Sequence, residues 1–328
     1  MNILQQQPIL ASLIKNSDIK SVTNLFTLNK FFRNCSHEPF FWEDFIKNIL
    51  KGEQFLKNMG FTVNISYLML ERVTDLGCNS PSAHAFWTAA FNINLLTRVP
   101  NVVNRTIMIN NTVVLQLLID KGFPLNNSLE CPLKLAILNG NIDMVKMLLD
   151  AGIKDDYLLF DAIHSDNLEI VKLLIERGVD VNLKKRFNHE TPLMWAHNDS
   201  ENGMQIAELL INSGANINAV DIDGDTALSI GVINEKPNIV KLLLEHGANV
   251  NVQDNNGETC MMKLYFGSIS TKILEILLDN GGDPNIKNNN GINIFNKDFW
   301  SDVPMVQDLK NSCTPDNPTG KGWRWQKS

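Results

Sequence analysis

The chain has 328 residues, of which 44% are apolar, and a formal net charge of −7 at pH 7. A chain of this length can bury a large core, and length alone would suggest about two domains of roughly 150 residues each. The negative net charge leaves no electrostatic footprint for a phosphate backbone, which argues against nucleic acid as a partner.

The cysteine pattern argues against metal and disulfide chemistry. The five cysteines lie far apart in the sequence without any CxxC pair, which predicts reduced thiols and no metal site. We also expect no cofactor. The first residues lack the layout of a secretory signal, and no apolar run approaches the ~20 residues that span a membrane. We therefore expect a cytoplasmic protein without a membrane span.

Residues 1–50 predict three short amphipathic helices, with Asp18 as the N-cap of the second. Asp18-Ile19, the stretch LNKFFR at 28–33 and the stretch EPFFW at 38–42 follow one another in the order of the landmarks of an F-box. The segment resembles that family, although the usual opening L-P-x-E is absent. The resemblance implies docking on a Skp-family adaptor of a cullin-RING ubiquitin ligase. The residues that would make this contact are Leu10, Leu13, Leu25, Leu28 and Trp42. The alternative is a small helical domain that only caps the structure that follows.

Residues 51–110 contain helical stretches without a clear repeat, so we interpret them as a helical connector or as degenerate repeats. Residues 111–300 then repeat one phrase, a Leu-rich helix end followed by Gly and a short segment that ends in Asn. The closing residues Asn182, Asn218, Asn251 and Asn285 are 36, 33 and 34 positions apart. A period near 33 predicts stacked helical repeats, about five or six in number.

The unit at 221–253 shows the local signals most fully. Thr226 predicts the N-cap of a first helix, Pro237 the start of a second, and Gly247 its left-handed end. This unit is similar to the ankyrin repeat, whose pattern begins D-x-x-G-x-T-P-L-H and ends L-L-L-x-x-G-A-D-V-N. The resemblance implies an all-α solenoid of helix-turn-helix repeats with β-turn fingers, a monomer, and a protein target on the concave face.

The repeats depart from that pattern at several positions. Met194, Ser229 and Met262 stand where the family often has His, which puts the usual His-mediated bonding between repeats in doubt. The stretch HNDSENG at 197–203 is expected to lengthen one inter-helix turn, and the turn at 184–190 lacks Gly. The side chains that we place on the fingers are Lys184, Lys185, Arg186, Phe187, Ile222, Asp223, Asp225, Asn255, Asn256 and Glu258.

The function predicted from the sequence is binding of a protein partner. No catalytic motif is present, so we expect no enzyme activity and no catalytic residue. Residues 301–328 are expected to form a C-terminal cap and a flexible tail. An F-box joined to ankyrin repeats predicts a substrate-recruiting adaptor for a cullin-RING ligase; the alternative is an ankyrin scaffold or inhibitor with no ubiquitin link.

The asparagine content is high, as in AT-rich genomes such as those of large DNA viruses and intracellular bacteria. The pairing of F-box and ankyrin repeats resembles factors that such agents direct at host ubiquitin machinery. A source of that kind would place the protein in the host cytoplasm.

Overall fold

The computed structural model describes residues 102–125, 131–264, 268–295, 304–313, 317–320 and 322. The F-box-like segment at 1–50 and nearly all of the connector at 51–110 lie outside these residues. The five residues assigned to the adaptor contact therefore stay predictions: Leu10, Leu13, Leu25, Leu28 and Trp42.

The described residues are helical and contain no extended strand; Gln253 and Thr259 form an isolated antiparallel bridge. The helices are α1 (Val102–Met108), α2 (Thr112–Asp120), α3 (Pro132–Leu138), α4 (Ile142–Asp150), α5 (Leu158–His164), α6 (Leu168–Glu176), α7 (Pro192–Trp195), α8 (Glu201–Asn212), α9 (Ala227–Ile233), α10 (Pro237–Glu245), a 3₁₀ helix (Cys260–Lys263), α11 (Ser268–Asp279) and α12 (Pro304–Ser312). The all-α prediction is thus confirmed for the part of the chain that the structure describes.

The chain divides into two compact units, with the boundary inside the helix pair α3 and α4. In the first unit, α1 packs against α2 and buries Val103, Ile107 and Leu118. The side chain of Asn111 caps α2 by accepting the backbone N–H of Val114 at 3.1 Å. Helix α1 lies within the predicted connector, so a helix pair already begins before residue 111.

In the second unit the helices form two stacked layers. The first helices of successive pairs, α5, α7, α9 and the 3₁₀ helix, pack side by side in that order, and so do the second helices α6, α8, α10 and α11. Apolar residues at helical spacing face the interior, such as Ile239, Val240, Leu243 and Leu244 on α10, all of them buried. Burial of each such side chain contributes about 1.5–3 kcal/mol, so a pair without its neighbours would lose most of its stability.

The repeat signals at 221–253 are confirmed residue by residue. Thr226 is the N-cap of α9, and its hydroxyl accepts the backbone N–H of Ser229 at 3.2 Å. Pro237 is the first residue of α10, where its missing N–H costs nothing. Gly247 follows that helix with φ +87°, a left-handed backbone that a residue with a Cβ rarely adopts.

Two of the positions that lack the family's His, Met194 and Ser229, still receive a hydrogen bond. The Ser229 hydroxyl accepts the backbone N–H of Thr226 at 2.8 Å, and the Met194 sulfur accepts that of Thr191 at 3.3 Å. In these two units the substituted side chain therefore pairs with the backbone N–H of its own N-cap residue. A local bond inside one helix turn thus satisfies the first buried N–H of the helix.

The expected longer inter-helix turn is also confirmed. Five residues, 196–200, separate α7 from α8, whereas three residues, 234–236, separate α9 from α10. Helix α7 is correspondingly only 4 residues long. Ser200 begins α8 by accepting the backbone N–H of Gly203 at 2.8 Å, and its hydroxyl donates to Asp166 at 2.7 Å.

Residues near the C-terminus pack on the last repeat. The Asn285 side-chain amide donates to the backbone carbonyl of Pro318 at 3.0 Å. Gly320 approaches Leu309 of α12 so closely that an added Cβ would lie 2.7 Å from its Cδ1 atom. Part of the predicted tail is therefore bound to the repeats. Among the described helices, none has the length and apolar content needed to cross a membrane.

Candidate protein-binding surface

Three short turns precede the helices α7, α9 and the 3₁₀ helix, and a fourth follows α11. We call them the first to fourth fingers. They comprise residues 184–190, 221–225, 254–258 and 288–292. Each is closed by a backbone hydrogen bond between its ends, such as Asp221 N–H to Asp225 O at 3.0 Å and Asp254 N–H to Glu258 O at 2.9 Å. These turns are the β-turn fingers expected from the sequence.

The second to fourth fingers begin with an Asp or Asn whose side chain organises the turn. Oδ1 of Asp221 accepts the backbone N–H groups of Asp223 and Asp225, at 2.9 and 2.8 Å. Asp254 and Asn288 make the same two bonds in their fingers. Two N–H groups of each turn are thereby satisfied by one side chain, as in Asx turns.

The first finger reaches a similar shape by different means. The backbone N–H of Lys185 donates to the carbonyl of Glu190 at 2.9 Å, and the carbonyl of Lys185 accepts the N–H of His189 at 3.0 Å. His189 takes the left-handed backbone, with φ +59°, that Gly takes in the other fingers. The missing turn Gly noted in the sequence is thus replaced by a residue that bears the strain of positive φ.

Neighbouring fingers are joined by backbone hydrogen bonds. The N–H of Ile222 donates to Asn188 O at 2.9 Å, that of Asn255 to Asp223 O at 3.0 Å, and that of Asn289 to Asn256 O at 2.9 Å. We call this series the finger ladder. It uses main-chain atoms, so it leaves many of the tip side chains free to face solvent.

Gly257 serves the ladder in two ways. Its φ of +75° is left-handed, and an added Cβ would meet the Asn289 backbone N at 2.8 Å and its side-chain oxygen at 2.6 Å. Gly224 makes an equally close approach to the third finger at Asn255. These two positions therefore require Gly both for conformation and for space.

A cation-aromatic cluster supports the first finger. The Lys185 ammonium lies 3.4 Å from the ring centroid of Trp195 on α7 and 4.9 Å from that of Phe160 on α5. The indole N–H of Trp195 donates to the Glu190 carboxylate at 2.6 Å, and its ring meets Phe160 edge-on at 5.9 Å. Trp195 is half-buried, so it supports the finger and still presents part of its ring to solvent.

The predicted finger residues differ in their exposure. Phe187 is 91% exposed and Ile222 is 51% exposed, which is high for large apolar side chains. Lys184, Arg186, Asp223, Asn255 and Asn256 are also exposed, whereas Lys185, Asp225 and Glu258 are half-buried. The structure thus brings all ten onto the fingers, but only seven of them as freely accessible tips.

Asp225 is engaged in an ion-pair network with the following repeat. The Lys263 ammonium lies 2.5 Å from Oδ1 of Asp225 and 2.7 Å from Oδ2 of Asp254, and the three side chains are only 12%, 16% and 5% exposed. Burial disfavours the charged form of Asp254, but hydrogen bonds from Lys263 and backbone N–H groups outweigh it and lower the pKa of that carboxyl. The network therefore holds the second and third fingers together instead of offering charge to a partner.

Sequence reasoning missed Lys263 and the cluster around Trp195. The available signal was a single Lys in the otherwise apolar run CMMKL. A stacked first helix buries most of such a run, and a buried Lys ammonium requires a carboxylate partner. The contact of Trp195 with Lys185 depends on a finger conformation that no sequence motif specifies.

The closing Asn residues of the repeats link adjacent loops. Asn182 donates to Gly214 O at 3.0 Å and accepts the N–H of Asn216 at 2.7 Å. Asn251 makes the same pair of bonds, to Gly281 O at 3.0 Å and from the Asp283 N–H at 2.9 Å. These side chains are therefore occupied in joining repeats.

The described residues hold no group of three or more His, Cys, Asp or Glu side chains that could bind a metal ion. Cys260 is buried, and this burial raises the pKa of its thiol to about 12. A thiol that stays protonated is a poor nucleophile.

Comparison with known proteins agrees with this architecture. A family model described as "Ankyrin repeats (3 copies)" matches residues 154–221 and 197–288. Among solved structures, the ankyrin repeat domain of Bcl-3, described as a unique member of the IkappaB protein family, is similar with a TM-score of 0.51 at 25% sequence identity. That match covers 58% of this chain and 90% of the other. No curated protein sequence matches the chain significantly.

Proposed function

Because this chain is an ankyrin-repeat protein, we propose that its repeats bind a partner protein through the side formed by the fingers and the first helices. The observation that carries this proposal is that main-chain atoms and side chains of the fingers have different roles. Main-chain atoms form the finger ladder, while Phe187 and Ile222 project large apolar surface into solvent. Exposed apolar groups beside charged ones are typical of protein contact sites.

The opposite layer of helices offers a contrasting surface. On α10, Lys241 and Glu245 pair with each other at 3.6 Å and are both more than half exposed. Such solvated charge pairs keep a surface soluble and contribute little to binding. The asymmetry between the two sides supports the finger side as the binding side.

Site-specific photo-crosslinking tests this proposal. A photoreactive phenylalanine analogue replaces Phe187 in one version of the full chain and Lys241 in the control version, and both are expressed in the cells that make the protein. We expect one or more defined protein adducts from position 187 and none from position 241. Equal adducts at both positions, or none at position 187, would contradict a finger-side binding site.

The finer hypothesis concerns the role of such binding. The order of landmarks at 18–42 supports an adaptor that docks on a Skp-family protein while the repeats hold the target, so that ubiquitin transfer follows from high effective concentration. The alternative is a scaffold or inhibitor that binds its partner without a ubiquitin link. The ankyrin fold is compatible with both.

Co-precipitation with a Skp-family adaptor separates these two roles. The full chain is compared with a version that lacks residues 1–50 and with Trp42→Ala. The adaptor hypothesis expects capture by the full chain and loss in both variants. Absence of capture by the full chain, or capture that both variants retain, leaves the scaffold or inhibitor role.

A further inference from the structure

Exposed apolar surface is concentrated where the first finger meets the second. Five large apolar side chains are exposed in the described residues, and three of them, Phe187, Val220 and Ile222, lie at this junction. The other two, Met108 and Leu138, lie on α1 and α3. Single exposed apolar residues are common, but a group of three on adjacent turns indicates a contact site.

Two hydrogen bonds make this group continuous. The Lys184 ammonium donates to the carbonyl of Val220 at 3.1 Å, and the N–H of Ile222 donates to the carbonyl of Asn188 at 2.9 Å. The two turns are thereby fixed side by side. We call the set Lys184, Arg186, Phe187, Val220 and Ile222 the junction patch.

The charge of the junction patch is positive. Neither Lys184 nor Arg186 forms an ion pair within the part of the chain that the structure describes. Arg186 places its guanidinium carbon 5.8 Å from the ring centroid of Tyr157. A guanidinium on a ring face still has N–H groups at its edge that can bind a carboxylate in a bidentate manner.

The acidic residues of the neighbouring fingers compete little for these cations. Asp225 and Asp254 are held by Lys263 in a network that is largely buried. Asp223 is exposed at the tip of the second finger and gives the patch a negative edge on that side. The surface charge is therefore positive at the first finger and negative at the tip of the second, with exposed apolar side chains between them.

We propose that the junction patch binds a partner segment in which a large apolar side chain is flanked by a carboxylate. The apolar side chain would lie on Phe187 and Ile222, and the carboxylate would bind Lys184 and Arg186. This inference rests on the proposed function and adds the chemistry of the partner. Electrostatic complementarity of this kind sets orientation and specificity more than raw affinity.

Selection from a phage-displayed library of random short peptides on the immobilised full chain tests the proposal. We expect enrichment of peptides with Asp or Glu within a few positions of an aromatic or large aliphatic residue. The strongest peptide is then synthesised with a fluorophore, and its affinity for the chain is measured by fluorescence anisotropy at low and high salt.

Matched variants assign the contact to the junction patch. Arg186→Glu should weaken the peptide about tenfold or more and reduce the salt dependence, and Phe187→Ala should weaken it without changing the salt dependence. Lys241→Glu makes the same charge reversal on α10 and should leave the affinity unchanged. Arg186→Gln serves as a milder variant, and circular dichroism checks that each variant keeps its helical content.

Three results would overturn the proposal: enrichment of peptides without carboxylates, no enrichment at all, or unchanged affinity in both Arg186 variants. None of them would by itself overturn the proposed function, since photo-crosslinking at position 187 tests partner binding independently of the chemistry of the segment. Adducts at position 187 without acidic selection would mean a binding surface of different specificity.

Discussion

Removal of the Lys263 ammonium should destabilise the repeats much more than removal of an exposed ammonium. In Lys263→Met, the carboxylates of Asp225 and Asp254 would lie close together with 16% and 5% of their side chains exposed and no opposite charge between them. Breaking a buried ion pair by removing one partner costs about 3–5 kcal/mol. Because the carboxylate of Asp254 retains two backbone N–H donors, we expect a loss of about 3 kcal/mol, at the lower end.

The pH dependence of this loss follows from the direction of the pKa shift. The pKa of Asp254 is lowered in the folded protein, so its ionised form adds stability above the ordinary value of 3.8, and that stability is lost as the pH falls through the folded pKa. In Lys263→Met the carboxyl of Asp254 would lose its lysine partner, would be harder to ionise and would bind a proton at higher pH. The difference in free energy of unfolding between the wild-type protein and Lys263→Met should therefore reach its full value at pH 7 and be smaller at about pH 4.

Urea unfolding followed by circular dichroism measures the loss at both pH values, and hydrogen exchange over residues 221–264 localises it. Lys241→Met is the matched control, since its pair with Glu245 spans 3.6 Å on an exposed helix face, and it should cost less than about 1 kcal/mol. A loss in Lys263→Met no larger than that of the control, or one that grows toward pH 4, would refute the reasoning.

Three further predictions follow from the finger ladder and the repeat loops. Gly257→Ala should cost at least about 1 kcal/mol more in urea unfolding than Gly247→Ala, because both have positive φ but only the first meets a neighbouring backbone; equal losses would contradict the close approach. Asn251→Ala removes two inter-repeat hydrogen bonds and should speed hydrogen exchange at 281–283, with a loss of about 1–3 kcal/mol; unchanged exchange would show that these bonds are dispensable. Cys260, whose pKa is raised to about 12, should react with maleimide at pH 8 far more slowly than the half-buried Cys313. Peptide mass spectrometry measures both rates, and the two cysteines should react equally fast only in denaturant.

The helix pairs were predictable from the sequence because their signals are local. Thr226, Pro237 and Gly247 each act within one turn of the backbone, so residue type and spacing suffice to place a cap, a start and an end. The longer turn after α7 was also predictable, since an insertion between two fixed landmarks has to be accommodated between the helices.

The contacts between repeats were harder to predict because they join residues more than thirty positions apart. Lys263 meets Asp225 across 38 positions, and nothing in either local sequence specifies the other. The position of Lys185 over Trp195 likewise depends on the conformation of the first finger, whose left-handed residue is His189 and not Gly. Tertiary geometry decides such pairings, and a repeat pattern indicates only which segments are neighbours.

The finger ladder has a consequence for how this surface can change during evolution. Its links join the N–H of one turn to the carbonyl of the preceding turn, and every residue except proline carries both groups. A tip such as Phe187 or Ile222 can therefore be exchanged for another residue without breaking a link, provided that the nearby glycines and the ion pairs of Lys263 remain. Partner preference and repeat stability are encoded by different atoms, so mutation can alter the first while leaving the second intact.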